Sequence, residues 1–265
     1  MTYRAPVRDM AFYLTEVAGL KALAGQGDFA DLTPDLIDAV LEEVAKLAGN
    51  VLAPLNKSGD SEGVRLEADG VKTAKGFADA YRQWVDDGWG SIAAAPEHGG
   101  QGLPLALATV MQEMWNASNM SFGLCPILSQ GAVEAISIHG TDAQKKLYLP
   151  KLVSGEWTGT MNLTEPQAGS DLNALKAKAV PQGDGTYKIT GISLFLVPKF
   201  LVNDDGSLGA RNDAKCTGLE HKIGIHASPT CVMSYGDEGG AIGTLIGEEN
   251  RGLACMFTMM NNARL

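Results

Sequence analysis

The chain has 265 residues, 45% of them hydrophobic, which is enough for one large domain or two smaller ones with a packed core. Its 31 acidic residues outnumber its 21 basic residues, and the formal net charge is −10. This charge has the wrong sign for a protein that binds nucleic acid by neutralising phosphates, so nucleic acid is excluded as a partner. An anionic ligand would have to be bound by a few local groups.

Sequence patterns predict neither a membrane span nor secretion nor a metal site. The longest apolar stretch, residues 191–202, is interrupted by Pro198 and Lys199 and is too short to cross a bilayer. No apolar run with a small-residue cleavage site follows the N-terminus, so a cytoplasmic location is predicted. The four cysteines form no CxxC pair and are predicted to be buried thiols. They are Cys125, Cys216, Cys231 and Cys255.

Up to about Gly155 the apolar residues recur at helical spacing. Thr33 followed by Pro34 is typical of an N-cap with proline at the first helical position, and this helix is predicted to end at Gly49. Thr141 and Gln144 have the spacing of a capping box that opens another helix. Further helices are predicted over residues 73–87, 105–115 and 132–139.

After Gly155 short, partly β-branched runs separated by turns indicate strands. The predicted strands are 158–163, 187–190, 192–197, 231–234 and 241–246, with turns at 203–206 and 237–240. Apolar residues from Leu253 to Met260 indicate a further helix. The fold class is therefore α+β: a helical N-terminal domain (1–155), a small antiparallel β domain (156–250), and the start of a helical domain (251–265) whose C-terminal bundle is missing.

Residues 161–171 combine a predicted strand with a turn that carries a proline, a glycine and a hydroxyl group. Pro166 removes one competing backbone donor, Gly169 allows the main chain to approach a ligand closely, and Ser170 adds a hydroxyl. Such a loop suits a phosphate or the polar edge of a ring. An ordinary turn at the end of a strand has the same composition, so the pattern alone leaves both interpretations open.

Several ordered motifs resemble those of the flavin-dependent acyl-CoA dehydrogenase family. Residues 164–166 with 168–171 resemble the family signature TEPxAGSD, and further resemblances reach from about Asp87 to the end of the chain. They are Gly88-Trp89, Pro96 and 99–102; Gly140-Thr141, Gln144-Lys145 and 148–150; 222–230; and 247–252. Residues 3–10, 191–202 and 219–231 resemble the longer bacterial members that include 3-methylmercaptopropionyl-CoA dehydrogenases.

The resemblance implies FAD as cofactor and the α,β-dehydrogenation of an acyl-CoA thioester to a trans-2-enoyl-CoA. It also implies an electron acceptor such as electron-transfer flavoprotein, and a homo-oligomer for the full-length protein. The residues implied to bind the flavin are Met161, Asn162, Leu163, Thr164, Gly169 and Ser170. Those implied to contact the CoA substrate are Ser170, Asn261 and Arg264, although Arg264 is equally explained as a solvated helix residue.

The sequence departs from the family pattern at three places. Relatives follow the equivalent of Gly191 with an aromatic-Ile-Thr strand that stacks on the flavin, and that segment is absent here. His226 stands where many members have arginine. No acidic residue matches the family's catalytic glutamate, so no catalytic residue is assigned. Two alternatives stay open: a non-catalytic binding or assembly fragment, and a related flavin oxidase on the same fold.

Overall fold

The computed structural model describes residues 3–171, 174–190 and 194–262. Helices dominate the chain as far as Ser154, and antiparallel strands follow from Lys178 to Leu245. The prediction of a helical N-terminal part followed by small antiparallel sheets is confirmed. The helices are α1 (Val7–Phe12), α2 (Leu20–Leu23), α3 (Pro34–Leu47), α4 (Ala53–Glu62), α5 (Phe77–Asp86), α6 (Leu105–His139), α7 (Asp142–Ser154) and α8 (Gly252–Asn262).

Helix α3 begins where the sequence predicts. The Leu36 backbone N–H donates to Thr33 Oγ1 at 3.1 Å, and Pro34 occupies the first turn. The predicted end at Gly49 is wrong, because a π-helical segment (Ala48–Leu52) carries the chain directly into α4. Ala48 and Leu52 are fully buried there, so tertiary packing outweighs the low helix propensity of the glycine.

A short hairpin precedes α5 and was not predicted. Strand β1 (Arg65–Glu67) pairs with β2 (Gly70–Lys72), and Gly70 adopts φ = +130° at the turn. The helix predicted from residue 73 therefore starts only at Phe77. Polar and charged residues dominate the two three-residue strands, and such short runs carry too little periodicity to be recognised.

Helix α6 joins the two helices that were predicted separately, but it is not straight. Asn119 lies at φ = −159° and ψ = 88°, outside the helical region. The Gln112 amide donates to Gln130 Oε1 across 18 residues, a separation of about 27 Å along a straight helix. The chain therefore reverses at Asn119, and Asn119 Oδ1 accepts the Phe122 N–H at 3.2 Å as an N-cap of the second half.

By length and composition alone, α6 qualifies as a candidate membrane span. This helix lies outside residues 191–202, the apolar stretch from which the sequence predicts no membrane span. In the structure 44% of its most apolar stretch is buried within the protein, and the reversal at Asn119 divides it into two shorter helices. A core helix of a globular domain meets the same criteria.

The capping box of α7 is confirmed and also connects the helix to the sheet. Thr141 Oγ1 accepts the Gln144 N–H at 3.2 Å, and the Gln144 side chain accepts the Thr141 N–H at 2.9 Å. The Gln144 amide donates to Thr244 Oγ1 at 3.0 Å and to the Leu245 carbonyl at 2.9 Å. Gly155 ends the helix at φ = +82°, a conformation that favours glycine.

The strands form one four-stranded sheet and two further hairpins, all antiparallel. The sheet has the order β3-β4-β10-β5, and β6 pairs with β7 and β8 with β9. These strands are β3 (Lys178–Pro181), β4 (Thr186–Thr190), β5 (Phe195–Leu196), β6 (Phe200–Val202), β7 (Leu208–Arg211), β8 (Ala214–Leu219), β9 (Cys231–Tyr235) and β10 (Ile242–Leu245).

Two predictions about the β region need correction. Residues 158–163 are extended but pair with no strand among the described residues. The strand predicted over 192–197 is seen only as Phe195–Leu196, and residues 192 and 193 lie outside the described part. The turns predicted at 203–206 and 237–240 are present.

The cysteine prediction holds for only one thiol. Cys255 is buried, Cys125 is exposed on α6, and Cys216 and Cys231 are half-buried on the paired strands β8 and β9. Side chains on the solvent side of a sheet are only partly buried, and the spacing of the cysteines along the sequence does not show on which side they lie. All four cysteines are free.

Candidate functional site

The segment that follows α7 lies against the second half of α6. The Gly159 N–H donates to Ser129 Oγ at 3.1 Å. A Cβ placed on Gly159 would stand 2.6 Å from the Ala132 Cβ, so the backbone approaches the helix more closely than a side chain allows. This contact fixes where the extended segment begins.

Residues 160–164, which we call the open backbone edge, continue from this contact. Their backbone N–H and C=O groups make no hydrogen bond with any residue in the described ranges. Backbone polar groups normally find a partner in protein or solvent. The donors and acceptors of this edge are thus available to hydrogen-bond a ligand.

Side chains alternate in exposure along the open backbone edge. Met161 and Leu163 are half-buried, whereas Asn162 and Thr164 are exposed. Asn162 donates to Thr160 Oγ1 at 3.2 Å. The Thr164 hydroxyl has no partner in the described part of the chain.

Residues 164–170, which we call the hydroxyl turn, form the next element. Glu165 and Ala168 exchange backbone hydrogen bonds of 3.4 and 2.9 Å, and Ala168 is completely buried. The Glu165 carboxylate accepts the backbone N–H groups of Lys176 at 3.0 Å and Ala177 at 2.9 Å. These two hydrogen bonds, followed by that of Gln167, hold the pKa of Glu165 below its ordinary value.

The two remaining predicted residues of the hydroxyl turn are exposed. A Cβ placed on Gly169 would meet only Thr164 Cγ2, at 3.9 Å, so the space in front of the glycine is open. The Ser170 hydroxyl makes no hydrogen bond within the described ranges. Thr164 and Gly169 are therefore close together, with the hydroxyls of Thr164 and Ser170 available to a ligand.

The predicted CoA-binding residues are not gathered at this point. Asn261 is exposed near the end of α8, and Arg264 lies outside the described residues. Helix α8 packs on the second half of α6, where a Cβ on Gly131 would stand 2.6 Å from Met259 Cγ. The second half of α6 thus contacts two elements. Ala132 contacts Gly159, which precedes the open backbone edge, and Gly131 contacts α8.

His226, the departure from the family pattern, lies away from the hydroxyl turn. Its Nδ1 and its backbone N–H both lie 2.9 Å from Asp60 Oδ1 on α4. These bonds hold the pKa of Asp60 below its ordinary value. Lys222 supports the same loop by donating to the carbonyls of Ile225 at 3.0 Å and Ser228 at 2.5 Å. The contact therefore connects the β region to the helical region.

No cluster of metal-binding side chains lies in the described part of the chain. Groups of three or more His, Cys, Asp or Glu side chains in metal-binding proximity do not occur among those residues. A cavity of about 360 Å³ lies between α3, the π-helical segment and α5, and none of the predicted site residues lines it.

Sequence reasoning missed the residues that support the site. Ser129 and Gly159 anchor the open backbone edge, and Glu165 joins the hydroxyl turn to the residues before β3. Glu165 belongs to the TEP motif, but the motif does not indicate that its carboxylate binds backbone amides. The partner amides lie 11 and 12 residues away, a separation that no local pattern predicts.

Comparisons with known proteins identify the family. Residues 37–156 match the family model of the acyl-CoA dehydrogenase N-terminal domain. Residues 37–156 thus belong to a domain of the acyl-CoA dehydrogenase family. It is 44% identical to a 3-methylmercaptopropionyl-CoA dehydrogenase of Ruegeria pomeroyi over all of its length and 50% of the relative's. It is 33% identical to a butyryl-CoA dehydrogenase of Syntrophomonas wolfei over 99% of its length and 50% of the relative's.

The fold agrees with this family. An acyl-CoA dehydrogenase from Bacillus anthracis, solved in complex with FAD, superposes with a TM-score of 0.67 at 21% identity, covering 89% of this chain and 41% of that one. The resemblance inferred from the sequence motifs is confirmed. The chain spans about half the length of the relatives it matches.

The alignment with the Ruegeria relative also reveals an internal difference. It extends over 297 positions although the chain has 265 residues, so at least 32 positions of the relative have no counterpart here. The segment predicted to be missing follows Gly191, and residues 191–193 lie outside the described part. Its location stays a prediction.

Proposed function

We propose that this chain supplies part of the FAD and acyl-CoA binding surface of an enzyme that dehydrogenates an acyl-CoA thioester to a trans-2-enoyl-CoA. The observation that supports it best is the open backbone edge beside the hydroxyl turn. Backbone groups and two hydroxyls that make no hydrogen bond within the described ranges, together with the open space at Gly169, suit a polar, planar ligand with attached phosphates.

Each part of this surface has a distinct proposed role. When bound, FAD would accept the hydride removed from the substrate. Met161, Asn162, Leu163 and Thr164 would offer backbone amides and one hydroxyl to the ring edge, and Gly169 would let the main chain approach. Ser170 would hydrogen-bond phosphate-bearing groups of FAD or CoA. Asn261 and Arg264 are proposed to contact the CoA end of the substrate.

We assign no residue of this chain as the catalytic base. None of its acidic residues matches the family's glutamate, and the carboxylate nearest the open backbone edge, Glu165, is already engaged by two backbone N–H groups. We further propose an electron-transfer flavoprotein as electron acceptor, a homo-oligomeric full-length protein and a cytoplasmic location.

A second candidate function is binding without turnover. The internal gap of at least 32 positions relative to the Ruegeria enzyme favours it, because a gap of that size removes several strands' worth of structure. Such a chain would retain a ligand surface but lack groups needed for chemistry.

A titration of the chain with FAD, followed by absorbance and flavin fluorescence, tests the proposed surface. We expect saturable binding with a perturbed flavin spectrum, and separately saturable binding of a CoA thioester. A chain that binds neither FAD nor CoA thioesters at concentrations up to millimolar would contradict both candidate functions.

A further inference from the structure

Glu165 makes an unusual set of hydrogen bonds for an exposed carboxylate. Oε2 accepts the Lys176 backbone N–H at 3.0 Å, and Oε1 accepts the Ala177 N–H at 2.9 Å. The Gln167 side chain donates to Oε2 and also reaches the Ala174 carbonyl at 3.3 Å. Three neutral N–H donors therefore converge on one carboxylate.

The two backbone amides require an acceptor at each carboxylate oxygen. An ionised carboxylate provides two equivalent acceptors, whereas a glutamine side chain provides one acceptor and one NH₂ group. A glutamine at this position would place a donor opposite one of the two backbone N–H groups. The arrangement is thus specific for a negative charge as well as for side-chain length.

The Glu165 side chain connects two stretches of the chain. On one side is the hydroxyl turn, closed by the Glu165–Ala168 backbone pair; on the other are the residues that enter β3. Thr164 immediately precedes Glu165, and Ser170 lies five residues beyond it. The position of both hydroxyls relative to the sheet therefore depends on this side chain.

We propose that Glu165 is a positioning residue, whose carboxylate holds the hydroxyl turn against residues 176 and 177 so that Thr164 and Ser170 face the flavin. This role rests on the proposed function, since it concerns how that binding surface is arranged. Glu165 does not contact the ligand in this scheme; it acts through the neighbouring backbone.

Two measurements on the whole chain test the role separately. Hydrogen exchange of the Lys176 and Ala177 amides, without FAD, reports the carboxylate contacts themselves. FAD titration reports their effect on the ligand surface. The variants are Glu165→Gln, which keeps the shape but removes the charge, and Glu165→Asp, which keeps the charge on a shorter side chain. Glu156→Gln, at an exposed glutamate paired only with Lys151 in the described part, is the control.

We expect Glu165→Gln to lose protection at both amides and to raise the Kd for FAD about tenfold, with Glu165→Asp intermediate and Glu156→Gln unchanged. Unchanged amide exchange in Glu165→Gln would overturn the proposal, as would lost protection with unchanged FAD affinity. If the unmodified chain binds no FAD, the proposed function fails, and exchange alone then decides whether Glu165 holds the turn.

Discussion

Two hydroxyl groups on the hydroxyl turn, those of Thr164 and Ser170, have no partner in the described part of the chain. A hydroxyl at an exposed turn is ordinarily satisfied by water, so its loss should cost little folding stability. A change in ligand affinity without a change in stability would therefore assign these groups to binding.

We expect Thr164→Val to weaken FAD binding by about 0.5–1.5 kcal/mol, the net value of one hydrogen bond, or roughly two- to tenfold in Kd. Valine keeps the shape and removes only the hydroxyl. The measurement is a fluorescence titration, with Thr73→Val, at an exposed threonine just before α5, as the control that removes a hydroxyl outside the proposed site. Equal affinity in Thr164→Val and the unmodified chain would show that this hydroxyl does not bind FAD.

The Glu165 carboxylate gives the hydroxyl turn a dependence on pH. Because backbone hydrogen bonds hold its folded-state pKa below 4.5, the ordinary value for glutamate, the stabilisation it provides is complete above that value. It is lost as the pH falls through the depressed folded-state pKa. We expect the amide proton shifts of Lys176 and Ala177 to titrate with a midpoint below 4.5, and a midpoint above 4.5 would contradict the assigned contacts.

At the scale of elements, the reversal of α6 depends on one buried side chain. Asn119 donates to the Leu52 carbonyl at 3.1 Å and accepts the Phe122 N–H at 3.2 Å, and the residue is fully buried. Removing this side chain leaves a donor and an acceptor without partners inside the core.

We expect Asn119→Ala to lower the free energy of unfolding by about 2–4 kcal/mol, from the lost cap and the two unpaired groups. Asn116→Ala is the matched control, because the buried Oδ1 of Asn116 has no hydrogen-bond partner among the described residues. Urea denaturation measures both. An equal loss in the two variants would show that the side-chain volume, rather than the Asn119 hydrogen bonds, stabilises the reversal.

The elements recovered from the sequence are those with local signals. Thr33, Thr141 and Gln144 mark helix starts through side-chain caps, and the structure has them as predicted. The reversal in α6 was not predicted although Asn119 caps its second half, because one asparagine within a long apolar stretch is a weak signal and its other partner, the Leu52 carbonyl, lies far away in sequence. The extended segment 158–163 was predicted as a strand because its composition is right, but pairing is a property of neighbours that composition does not contain.

For the candidate site, the sequence predicts a location but not the contacts that support it. The TEPxAGSD motif located Thr164, Gly169 and Ser170, which the structure places on one exposed turn. It did not reveal that Glu165 reaches across to Lys176, nor that Gly159 is anchored on Ser129. Both contacts join segments that are far apart in sequence.

For the whole molecule, we expect ligand binding without catalytic turnover. We expect the chain to show no acyl-CoA-dependent reduction of an artificial electron acceptor in the presence of FAD, because no acidic residue of its sequence matches the family's catalytic glutamate and the proposed surface is open to water. The assay uses acyl-CoA substrates of several chain lengths, with free FAD as the blank. Steady, substrate-dependent reduction would show that a base exists within residues 1–265.

The second half of α6 fixes the directions in which two of its neighbours, the segment at Gly159 and helix α8, are held. Ser129 and Ala132 contact the segment at Gly159, whereas Gly131 receives Met259 of α8. Each residue of an α-helix turns by about 100° relative to the last, so these neighbouring positions face different directions by a fixed amount. Inserting one residue between Ser129 and Gly131 would turn Gly131 and Ala132 by about 100° relative to Ser129, so the two contacts of Gly159 and the packing of α8 could no longer be satisfied by one straight helix.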